Sequence, residues 1–180
     1  FDFAGRRWML DQVRTPRYPT GNAAPVRQRF GAEGDLTSNV AADGAFSRVG
    51  GQTAVDRVNE LMHHPIGFLQ AAWATGSEVT EEAPRGGRRL VRVNVAGNKF
   101  AMLIDPVTSL PTSIQKITYQ PNLGDVTLET EFSDWRDVDG LKLPMRFTQK
   151  IGRWVVSDMR LAKATLNGDV PDFGVPAHVR

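Results

Sequence analysis

Residues 133–149, SDWRDVDGLKLPMRFTQ, read as strand, tight turn, strand, and they restrict the fold more than any other part of the chain. Asp139 and Gly140 suit a hairpin turn whose central residues take positive φ. Ahead of the turn, Val126, Leu128, Thr130 and Phe132 alternate with Thr127, Glu129, Glu131 and Ser133; after it, Leu141, Leu143, Met145 and Phe147 alternate with mostly polar residues. A period of two over both arms means an antiparallel sheet with one dry face.

The same reasoning extends to the rest of the chain. Residues 8–14 and 26–30 predict short strands around a loop marked by Pro16, Pro19, Gly21 and Pro25. Residues 36–42 and 45–49 flank Asp43-Gly44, a second hairpin signal. Thr53 with Asp56 three positions on predicts a capped helix over 54–63, striped by Val55, Val58, Leu61 and Met62. Pro65 fits the first turn of a second helix in which Ile66, Leu69 and Trp73 share a face and which Gly76 ends. From Arg88 onward strands return, over 88–95, 99–104, 112–119, 126–132, 142–151 and 154–164, each placed to pair with the next. The expectation is an α+β fold, a curved antiparallel β-sheet wrapping a helical hairpin, in one domain over 1–166. Residues 167–180, rich in Gly, Pro and Asp, read as a linker-like tail.

Composition narrows the function classes. With 180 residues, 41% of them hydrophobic, the chain suffices for one good core. A formal charge of +2 is too small to attract nucleic acid by bulk charge. Cysteine is absent, which removes disulfides, thiolate nucleophiles and thiolate metal sites. No apolar run approaches the roughly 20 residues that span a bilayer as a helix. The chain starts at Phe1 without a charged-then-apolar leader, so the expectation is a mature or trimmed product.

Candidate chemistry is sparse. His63 and His64 are adjacent, so on a helix their side chains diverge by about 100° and cannot share one ion. The third histidine, His178, lies in the tail. Glu129 and Glu131 fall on one strand face about 7 Å apart, a spacing usable for acid–base work but ordinary on an exposed face. Asp134, Asp137 and Asp139 with Gly140 approximate a calcium loop, yet the register puts Trp135 at the first ligand and Arg146 at the closing one. No nucleophile elbow, phosphate-cradling loop, HExxH helix or dinucleotide fingerprint occurs. The apolar residues carry the better lead: Phe68, Leu69 and Trp73 on the second helix with Met102, Phe132, Phe147 and Trp154 on strands either fill a core or line a pocket for an apolar small molecule.

Asp105-Pro106, Leu110-Pro111 and the hairpin that follows resemble the sheet of periplasmic lipoprotein-carrier-like half-barrels. HPIGFLQAA at 64–72, Leu123-Gly124-Asp125 and FSDWRDVDGLKLPMRF resemble the N-terminal domain that precedes the catalytic domain in certain bacterial metallo-β-lactamase-fold hydrolases. The resemblance covers residues 54–180. It implies a non-catalytic accessory domain that covers a neighbouring active site, helps select substrate or mediates dimer contacts. Zinc would belong to the associated hydrolase domain, because the HxHxDH run of that family does not occur here and this chain would hold no cofactor. The implied location is the bacterial periplasm or the exterior, with the cytoplasm left open. Two other readings stand beside it: a freestanding periplasmic carrier of a lipid or other apolar ligand, and a small hydrolase with a dispersed site.

Overall fold

A computed structural model describes residues 1–15, 24–169 and 175. The loop expected around Pro16 to Gly21 and most of the expected tail lie outside the described residues. The chain divides into two compact units, one formed by Phe1–Leu61 with Asp169–Arg180 and the other by Met62–Gly168. The fold is α+β, with two antiparallel sheets and two short helices.

In the first unit, β1 (Arg7–Arg14), β2 (Val26–Glu33), β3 (Leu36–Val40) and β4 (Phe46–Arg48) pair in chain order. Gly34, at φ 57, makes the two-residue turn between β2 and β3 possible. Helix α1 (Gly51–Asn59) is fastened to this sheet through one arginine. The indole Nε1 of Trp8 donates to the Arg57 carbonyl at 2.7 Å, and the Arg57 guanidinium donates to the Ser38 carbonyl and to Asn39 Oδ1, each at 2.7 Å. The same guanidinium lies 5.0 Å over the Phe30 ring, and Phe30 meets Trp8 edge-on.

The second unit contains α2 (Pro65–Trp73), β5 (Glu78–Arg85), β6 (Arg88–Val95), β7 (Asn98–Ile104), β8 (Pro111–Gln120), β9 (Gly124–Val138), β10 (Leu141–Ile151) and β11 (Trp154–Arg160). The seven strands form a simple meander with β5 and β11 at its edges, so the sheet is open rather than closed into a barrel. Register sets the two faces. Met102 opposes Ile114, Ile114 opposes Thr130, and Phe132 opposes Phe147, which puts these residues on the face that α2 covers. Phe68 of α2 packs there with Val93, Phe100, Met102, Ile114, Phe132 and Phe147, all at most 8% exposed. Each such side chain taken out of water contributes about 1.5–3 kcal/mol.

Several expectations are corrected. Whether the N-terminal strands join the main sheet is open in the sequence; β1 to β4 pair only among themselves and form their own sheet. Helix α1 starts at Gly51 with Gly50 as its cap and no side-chain capping bond, so Thr53 is not the cap; Asp56 instead accepts from Gln52 one turn earlier. The helix ends at Asn59 and tightens into a 3-10 turn over Glu60–His63. Helix α2 begins at Pro65 as expected, but it buries Pro65, Gly67 and Phe68 rather than the face with Leu69 and Trp73. Strand β5 has no counterpart among the expected strands: its residues EVTEEAPR lack an apolar period because every one of them is exposed at the sheet edge.

Candidate functional site

Four of the seven apolar candidates converge. Phe68, Met102, Phe132 and Phe147 belong to one cluster, with the rings of Phe132 and Phe147 meeting edge-on at 5.7 Å. The other three do not join them. Leu69 is 42%, Trp73 79% and Trp154 64% exposed. Leu69 and Trp73 stand four residues apart, one turn above each other on the outward side of α2. Trp154 opens the edge strand β11, where Val155 and Val156 are exposed beside it and the Arg153 guanidinium lies 4.7 Å over its ring.

The adjacent histidines occupy different buried positions at the start of α2. The His63 ring meets Phe100 edge-on at 5.3 Å, and its Nδ1 is 3.3 Å from Thr130 Oγ1. Its Nε2 is buried without a hydrogen-bond partner among the described residues. Burial, and after it the charge of Lys116, pushes the His63 pKa from 6.5 down to about 3. His64 caps α2, its Nδ1 accepting from the Ile66 N–H at 3.2 Å while its ring stacks on Phe147. Burial lowers its pKa to about 4. Both imidazoles are therefore neutral at pH 7. His63 is only 3% exposed. The sequence signal for this is Thr130, the one hydroxyl in the otherwise apolar row Val126, Leu128, Thr130, Phe132 of β9.

The carboxylates are engaged across strands. Glu129 accepts from Gln115 Nε2 at 2.9 Å, and Glu131 pairs with Lys150 Nζ at 2.6 Å. Asp137 accepts from the Gly140 N–H at 2.9 Å and pairs with Lys142, so it shapes the hairpin turn. Backbone donation by Gly140 and then Lys142 hold its carboxyl below the usual range. Among the described residues no three His, Asp or Glu side chains come together to hold a metal ion.

On the face of the seven-stranded sheet opposite α2, a groove of about 440 Å³ opens between β5 and β9. Arg85, Arg92 and Lys99 line it together with Gln115 and Thr127, whereas Asn98 and Lys116 border it through their backbone and turn their side chains to the α2 face, where Lys116 Nζ lies 5.0 Å over the Phe100 ring. Sequence reasoning misses this set because its members are spread over several strands and only the pairing register unites them.

Compared with known proteins, the chain matches no family model, no curated protein and no solved structure.

Proposed function

We propose that this chain is a non-catalytic accessory module of a zinc-dependent hydrolase of the metallo-β-lactamase fold, acting outside the bacterial cytoplasm and docking through the outward side of α2. The observation that carries the reading is the position of Trp73. It is a large aromatic side chain, 79% exposed, next to a half-exposed Leu69 on a helix whose opposite side is already fully used by Phe68. Exposed aromatic residues of this kind serve as anchors in protein interfaces. Packing of Phe68, Met102, Phe132 and Phe147 on one another favours docking over carriage of an apolar ligand, since the groups that would line a pocket touch each other instead. Zinc chemistry and bond cleavage belong, in this reading, to the partner domain, which supplies the HxHxDH run.

The test starts from the natural polypeptide. Its intact mass, zinc content and hydrolase activity are measured, and Trp73→Ala is introduced into that same protein. The expected result is a zinc-bearing hydrolase, either continuous with or tightly bound to this chain, whose kcat/KM falls about tenfold or more on loss of the indole. A natural product that ends near Arg180, purifies alone and carries no zinc sinks the proposal.

A further inference from the structure

The groove opposite α2 is made by one small side chain. Arg92, Ala101, Gln115 and Glu129 form a row across β6, β7, β8 and β9. Long side chains rise on both sides of Ala101, which is 6% exposed and forms the floor. In the neighbouring row, Lys99 opposes Asn94 and Ile117 opposes Thr127. Arg85 closes one end: it starts on β5, three strands from β8, and its Nη1 reaches Gln115 Oε1 at 3.5 Å. Three strand spacings amount to about 14 Å, so Arg85 and Gln115 reach toward each other and together bridge that width.

The charge balance is one-sided. Three cationic side chains, Arg85, Arg92 and Lys99, line the groove and no carboxylate does. Two carboxylates stand beside it. Glu82 holds Arg92 at 2.6 Å, and Glu129 is engaged by Gln115. Lys116 takes no part, since its Nζ donates to Asn98 Oδ1 at 3.0 Å on the α2 face. Arg85 and Lys99 form no ion pair among the described residues. Two cations without an ion pair, Arg85 and Lys99, therefore face a concavity of ligand size beside the paired Arg92.

We propose that this groove binds a phosphorylated sugar carrying two phosphate groups. A single phosphate or carboxylate would leave most of 440 Å³ unfilled and could meet only one end of a cationic set spread over three strands. Beside the cations, Gln115 and Thr127 present donors and acceptors suited to hydroxyl groups. Ile117, 61% exposed, offers an apolar surface to the C–H side of a sugar ring. The site lies on the face away from α2 and stands independently of the docking role of Trp73.

Isothermal titration of the full chain with fructose bisphosphate, fructose, inorganic phosphate and phosphatidylglycerol-containing vesicles tests it. Saturable binding of the bisphosphate is expected, weakened by added salt, with inorganic phosphate weaker and fructose silent. Arg85→Gln and Lys99→Gln, both at exposed positions, each lower affinity about tenfold with unchanged thermal melting. Ala101→Leu fills the floor and abolishes binding; if that variant misfolds, the two exposed substitutions still decide. Absence of saturable heat with the bisphosphate, full affinity in both exposed variants, or binding only to the vesicles overturns the proposal.

Discussion

Thr130 Oγ1 approaches His63 Nδ1 to 3.3 Å beneath α2, so a hydroxyl of β9 faces a buried imidazole. The contact fixes the ring while Phe100 blocks water from its side. Both His63 and His64 bind protons less readily folded than unfolded, with pKa values near 3 and 4 against an ordinary 6.5. As pH falls below 6.5 the unfolded chain takes up protons first, so stability falls, by at most about 1.4 kcal/mol per pH unit for each imidazole, until the folded-state values are passed. Urea denaturation at a series of pH values should show this slope between about 6.5 and 4. His64→Asn, which retains a capping oxygen but does not titrate, should reduce it by about half, since His63 still contributes.

Phe68 and Trp73 sit on the same helix with opposite exposures, 2% and 79%. Phe68→Ala should cost about 3–5 kcal/mol, because it empties the centre of the cluster on β6 to β10. Trp73→Ala should change stability by no more than about 0.5 kcal/mol. Chemical denaturation of the two variants checks the contrast; equal losses would mean the indole is packed.

Gly31 of β2 leaves no room for a side chain: a Cβ there would run into the carbonyl oxygen of Trp8 on β1. Gly31→Ala should therefore destabilise the four-stranded unit by about 1–3 kcal/mol, in the way overpacking does. A melting curve followed by the fluorescence of Trp8, with the other tryptophans replaced, reads this unit alone.

The turn between β9 and β10 holds Asp139 at φ 49 and Gly140 at φ 84. Asp139→Val forces a β-branched residue into the left-handed region and should cost about 1–3 kcal/mol, whereas Asp139→Gly should be tolerated. Thermal denaturation of the pair decides between turn geometry and side-chain contact as the reason for the aspartate.

That turn is legible in the amino-acid sequence, as is the one holding Gly44, because Asp-Gly between alternating arms leaves the backbone few alternatives. The order of strands in the main meander follows for the same reason. Strand β5 is hidden: with Glu78, Glu81, Glu82 and Pro84 and no buried position, it has no pattern for hydrophobicity to reveal. The packing side of α2 differs from the one its sequence suggests because Ile66, Leu69 and Trp73 are its bulkiest set, while the helix packs through Phe68 with the small Ala71 and Ala72 beside it. Of the seven apolar candidates, the strand residues Met102, Phe132 and Phe147 can be placed by period two; Trp154 cannot, since every residue of β11 is exposed. The groove is invisible in the sequence because Ala101 acquires its meaning only from the residues on the strands to either side.

The two flanks of the seven-stranded sheet differ in how they would treat a foreign strand. A peptide annealing to β5 would lie beside three glutamates, a register shift and a proline that offers no N–H. One annealing to β11 would meet Trp154, Val155 and Val156. Growth by strand addition is thus permitted on one side and resisted on the other, so stacked copies would terminate where a β5 flank is reached instead of propagating into fibres.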